Sequence, residues 1–125
     1  MTLSTLRNAR LALTLFALTL VLAIAPAAFA HTHPATMMPA ADSTVRAPDG
    51  VMIHFTEAVE PKFSHITVSD ATGHVVNKDV SVVSSDNKMV SVTLPKLAPG
   101  IYTVHWIAVA VDSHRSQGDY KFTVK

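Results

Sequence analysis

The sequence predicts an all-β domain, a small antiparallel Greek-key sandwich or barrel of about seven strands. Three observations point there. Short segments of alternating apolar and polar residues recur at fairly even spacing between turn signals. Nothing beyond residue 30 has convincing helical periodicity. Residues 100–111 form a long β-branched and aromatic run, apolar on both faces, as expected of a central strand.

Residues 1–30 are set aside first, because they read as an export signal. Arg7 and Arg10 form a positive n-region, and residues 11–24 an apolar segment too short and wrongly flanked for a membrane span. Ala28-Phe29-Ala30 places small residues at the −3 and −1 positions of a cleavage site. Cleavage after Ala30 is expected, leaving residues 31–125 as one periplasmic domain with no membrane span. The mean hydropathy of +0.31 belongs partly to the signal.

Arg7 and Arg10 leave with the signal, so eight Lys+Arg face nine Asp+Glu and the mature net charge is −1. No basic surplus recommends nucleic acid or an anionic membrane as partner. There is no cysteine, so the domain has neither disulfide staples nor thiolate ligands.

The mature chain opens with Pro34, Pro39, Pro48 and Gly50, which oppose a helix and favour an extended edge segment with turns. Val51, Ile53 and Phe55 share one face of a strand. Residues 65–69 alternate again. Asp70-Ala71-Thr72-Gly73 is a turn, and His74-Val75-Val76 is expected to start a second arm. Residues 80–83 read as a short strand, and Val90, Val92 and Leu94 line one face of the next. In the long run, Tyr102, Val104, Trp106 and Ala108 lie on one face. Residues 112–118 are polar and are expected to close that strand, and Tyr120, Phe122 and Val124 alternate in the last one.

Two stretches carry chemistry. After cleavage His31 has a free α-amine beside its imidazole, and the amine and Nδ1 can chelate one ion. An α-amine titrates near ~8, so a metal competes for it at neutral pH. Cu(II) prefers a tetragonal set of nitrogen and oxygen ligands. Asp112 and His114, two positions apart, point to the same side of an extended segment and can supply further corners. His33 offers a rival: the amine, two main-chain amides and its own ring can wrap Cu(II) or Ni(II) in a plane, leaving Asp112 and His114 idle. Of the other histidines, His54 and His105 read as sheet-face residues, His65 and His74 as solvated. Trp106 reads as core.

Several motifs together resemble the CopC family of periplasmic copper-binding proteins. They are His31-x-His33, Pro39-Ala40-Ala41-Asp42-Ser43, Phe55-Thr56-Glu57, Tyr102-Thr103-Val104-x-Trp106-x-Ala108-Val109-x-Val111-Asp112-x-His114 and Gly118-Asp119-Tyr120-x-Phe122. The resemblance covers nearly all of residues 31–125. It implies an Ig-like, cupredoxin-like Greek-key barrel and one Cu(II) held by His31, Asp112 and His114. Glu57 matches a position close to the metal, where it would bond the amine or a metal-bound water. Some members carry a Cu(I) site in a Met-rich loop. Residues 70–80 here contain no Met, so no site of that kind is expected. Met37-Met38 lies elsewhere, and Met52 and Met89 read as core filler.

The expected function is copper homeostasis or resistance. The protein is expected to be a non-enzymatic, monomeric binding protein that buffers Cu(II) or passes it to an inner-membrane copper transporter. Two other readings compete. An N-terminal His with a second His on a β-sandwich also resembles a copper-dependent polysaccharide monooxygenase. A metal-free Ig-like structural module would bind no copper tightly.

Overall fold

The structure, a computed structural model, describes residues 31–125; the predicted export signal lies outside the described residues. The strands are β1 (Pro34–Met38), β2 (Thr44–Val45), β3 (Gly50–Phe55), β4 (His65–Ser69), β5 (Val82–Val83), β6 (Met89–Thr93), β7 (Gly100–Val109) and β8 (Arg115–Val124), with no helix among the described residues. They form two four-stranded sheets, ordered β1-β3-β6-β5 and β2-β8-β7-β4. The all-β expectation holds, with one departure from antiparallel pairing. β2 runs parallel to the end of β8, Thr44 opposite Thr123 and Val45 opposite Val124.

Each sheet turns its apolar parity inward. Val51, Ile53 and Phe55 from β3 and Val90 and Val92 from β6 meet Ile66 and Val68 of β4 and Tyr102, Val104, Trp106 and Ala108 of β7. Phe55 packs edge-on against Trp106, ring centroids 5.6 Å apart. Burying a Val, Ile or Phe contributes ~1.5–3 kcal/mol over leaving it exposed. A core of this extent stabilises the domain without disulfides.

The expected arm after Gly73 is not a strand. Only Ser69 and Val75 bridge there, and the later strand is confined to Val82–Val83, with Val80 exposed. The Val76 amide donates to the Val68 carbonyl at 2.8 Å, and side chains replace the rest of the ladder. Asn77 Oδ1 accepts from the Val68 amide at 2.7 Å and Ser81 Oγ from the Ile66 amide at 2.8 Å. The open edge of β4 is thus satisfied without another strand.

β7 and β8 pair over ten positions, from Gly100 opposite Val124 to Val109 opposite Arg115. The polar stretch expected to form a loop up to Gly118 is therefore strand from Arg115 onward. Gly118 permits it. A Cβ there would stand 2.8 Å from the Trp106 ring, so the strand fits over the indole only with no side chain at that position.

Candidate metal centre

The β7–β8 hairpin ends in a tight turn at residues 110–114. The Ala110 amide donates to the His114 carbonyl at 2.8 Å, and the Ser113 amide donates to the Ala110 carbonyl at 2.9 Å. Ser113 takes a left-handed backbone, φ 72°. Asp112 Oδ1 accepts from the His114 amide at 3.1 Å, the local closure for which Asp is suited in turns. Asp112 Oδ2 lies 2.9 Å from His114 Nδ1. The two side chains meet because the backbone turns, whereas the sequence reading relied on an extended segment. The His114 ring bond and then the His114 amide hold the Asp112 carboxyl below the usual carboxylate range.

Residues 31–33 come to this turn from the other end of the chain. Thr32 is 1% exposed. Its carbonyl accepts from Ser116 Oγ at 2.6 Å, and its hydroxyl donates to the Glu57 carbonyl at 3.4 Å. The His33 amide donates to Thr56 Oγ1 at 3.2 Å, and the Thr56 amide donates to the His33 carbonyl at 3.0 Å. The stretch is stitched to residues 56–57 on one side and to the start of β8 on the other. The result sets the His31 ring edge-on to the His114 ring, centroids 5.8 Å apart.

Of the sequence-predicted residues, His31, Asp112 and His114 are brought together. Glu57 joins through its main-chain carbonyl. The His33 ring turns back on its own strand, with Nδ1 3.0 Å from the His31 carbonyl. Among the described residues, no group of three or more His, Asp or Glu side chains is gathered as a metal-holding cluster. The spacing of the two rings leaves room for an ion between them. At a metal–nitrogen distance of ~2.0 Å, two imidazoles can share an ion with centroids up to ~6 Å apart. The sequence reading missed Thr32, Thr56 and Ser116, the residues that anchor the site. Ser116 was legible in principle, since it shares the inward parity of Tyr120 and Phe122 once β8 is extended back to Arg115.

The remaining histidines lie apart. His105, on β7, has Nδ1 2.7 Å from Asp119 Oδ1 on β8. His74 Nδ1 lies 4.0 Å from Asp70 Oδ2. His54 and His65 are exposed. No helix among the described residues is long and apolar enough to cross a membrane.

Fold and donors together define a class: a small, cysteine-free β-sandwich that gathers imidazole and carboxylate groups at one end, the chemistry of a metal-binding domain. Comparison with known proteins narrows it. The CopC domain model matches residues 35–125. The chain is 35% identical to protein YobA of Escherichia coli K12 over 129 residues, 98% of each chain. It is also 35% identical to copper resistance protein C of Escherichia coli over 114 residues, 85% of this chain and 90% of that one. The crystal structure of CopC from Methylosinus trichosporium OB3b superposes with a TM-score of 0.71 at 31% identity, covering 76% of this chain and 94% of the other. The chain belongs to the CopC family, and its function concerns copper.

Proposed function

We propose that the mature protein begins at His31 and binds one Cu(II) in the periplasm through the His31 amine and imidazole, Asp112 and His114. The observation that carries this reading is the approach of the His31 and His114 rings to 5.8 Å from opposite ends of the domain. Asp112 Oδ2 lies 2.9 Å from His114 Nδ1; in the proposed site the carboxylate gives up that contact and meets the ion beside the His114 ring. The Glu57 carboxylate is assigned to bond the amine or a metal-bound water, a role supported by the tie between its main-chain carbonyl and Thr32, the neighbour of His31.

The anchoring of residues 31–33 favours this set over the planar chelate centred on His33. That chelate needs the His33 amide nitrogen as a ligand, and the amide is engaged by Thr56. It also needs the His33 ring, whose Nδ1 is turned to the His31 carbonyl. The protein acts as a binding protein, buffering Cu(II) or passing it as a monomer to an inner-membrane transporter, with no catalytic turnover of its own.

The deciding experiment is Cu(II) titration with EPR on protein starting at His31 and on protein carrying one extra N-terminal residue. The extra residue converts the amine to an amide and is expected to weaken binding and change the spectrum. Equal affinity and an identical spectrum remove the amine from the site. Weakening by His33→Ala alone, with His114→Ala silent, overturns the ligand set in favour of the rival. Copper-dependent peroxide formation with cleavage of chitin or cellulose would replace a binding protein by an enzyme.

A further inference from the structure

Strand methionines usually fill cores, but Met38, Met52 and Met89 lie on the outer face of their sheet. In β3 the buried residues are Val51, Ile53 and Phe55, which leaves Met52 and His54 on the outer face of the sheet. In β6, Val90 and Val92 point inward, which leaves Met89 and Ser91 outside. The register sets His54 opposite Met89 and Met52 opposite Ser91. On the other flank of β3, Met38 stands opposite Met52. Met38 is 67% exposed and Met52 40%. Met37, one residue away, turns inward and packs on the core.

Directly opposed residues in a sheet have Cβ atoms ~5 Å apart, and diagonal ones lie ~7–8 Å apart, within reach of long side chains. Met52 therefore has Met38 beside it, His54 two residues along on its own face, and Met89 on the diagonal. A surface cleft of about 370 Å³ bordered by Met38 and Met52 opens on the same sheet. These residues sit on β1, β3 and β6, outside residues 70–80, which hold no methionine, and outside the His31–His114 centre.

Thioethers are soft ligands that select monovalent d10 ions, and imidazole accepts copper in either oxidation state. We propose that the outer face of the β1-β3-β6-β5 sheet holds a second metal site, for Cu(I) or its analogue Ag(I), with Met52, His54 and Met89 as ligands and Met38 as a fourth donor.

The test uses Ag(I) as probe and NMR of protein labelled with 13C at the methionine methyls. One equivalent of Ag(I) is expected to shift the Met38, Met52 and Met89 methyls and leave Met37 in place. Anaerobic competition with a chromophoric Cu(I) chelator then compares wild type with a Met52→Leu/Met89→Leu variant, whose side chains keep nearly the same volume. The variant is expected to lose about 100-fold in Cu(I) affinity, ~2.8 kcal/mol, with Cu(II) affinity unchanged. His114→Ala is expected to leave the Ag(I) shifts intact, which separates this site from the proposed Cu(II) centre. The site is overturned if no methionine methyl responds, if Met37 moves as much as the others, if the double variant binds Cu(I) like wild type, or if His114→Ala abolishes the shifts.

Discussion

The Ser116 hydroxyl donates to the Thr32 carbonyl at 2.6 Å, joining residues 84 positions apart. One partner follows His31 in the chain, and the other comes two residues after His114. The bond therefore closes the two halves of the proposed copper site on each other before any metal arrives. Thr32 is almost wholly buried, so water cannot readily replace the lost donor. A buried group left without its partner costs ~1–3 kcal/mol, more than the net gain from an ordinary hydrogen bond.

Ser116→Ala is accordingly expected to lower stability by ~1–3 kcal/mol in urea denaturation. It should also weaken Cu(II) binding severalfold although no ligand is altered. Unchanged Cu(II) affinity in the variant would mean that the ligands assemble without this tie.

Gly118 makes a separate, purely steric prediction. Its Cβ would meet Trp106 Cζ2 at 2.8 Å and Cε2 at 3.0 Å. The indole packs against Phe55 and has little room to retreat. Gly118→Ala is expected to cost ~1–3 kcal/mol, the usual penalty of overpacking, and to shift the fluorescence of the single tryptophan. A thermal midpoint equal to wild type would show that the ring moves aside freely.

Much of the architecture was legible because a sheet with one buried face leaves a period of two in the sequence. Val51, Ile53 and Phe55 carry that pattern, as do Tyr102, Val104 and Trp106, and all are buried. The start of β8 was not legible, since Arg115, Gln117 and Asp119 face solvent while Ser116 and Gly118 face inward with no apolar bulk. Inward positions filled by a hydrogen-bonding serine and a space-saving glycine resemble a loop in composition. The missing arm after Gly73 was illegible for the converse reason. Val75 and Val80 look like strand residues, while the Ile66 and Val68 amides of β4 are satisfied by the side chains of Ser81 and Asn77. At the site, residue type revealed His31, Asp112 and His114. The anchors Thr32 and Thr56 act through ordinary hydroxyls and carbonyls, which no sequence motif distinguishes, and Ser116 carries only the parity it shares with Tyr120 and Phe122.

Tyr120 supplies a stability test with a pH signature. Its hydroxyl is buried with no hydrogen-bond partner among the described residues, and burial pushes its pKa up to about 12. Tyr102, by contrast, donates to the Ala98 carbonyl at 2.8 Å. A folded-state pKa above the unfolded value favours the fold fully below pH ~10, and that contribution is lost as pH rises toward about 12. Tyr120→Phe removes the unpaired hydroxyl at nearly constant shape. It is expected to be neutral or stabilising at pH 7 by up to ~1 kcal/mol and to flatten the loss of stability between pH 10 and 12. Marked destabilisation at neutral pH would show that the hydroxyl has a favourable partner.

Asp112 offers the sharpest test of the copper site, because an isosteric change can keep its hydrogen bond in the turn while removing its charge. The His114 ring and amide lower its pKa, so the favourable interaction is present above the ordinary carboxylate value and is lost only as pH falls through the depressed one. The carboxylate is therefore charged throughout the neutral range, and its own titration should not limit Cu(II) binding near pH 7. Asp112→Asn keeps an oxygen to accept from the His114 amide while removing the charge opposite Nδ1. If Asp112 meets the ion, Cu(II) affinity should fall ~10–100-fold, with a changed EPR hyperfine splitting. Asp112→Glu keeps the charge but displaces it, and should recover part of the affinity. An Asn variant with wild-type affinity and spectrum would remove Asp112 from the site and leave His31 and His114 to hold the ion with solvent.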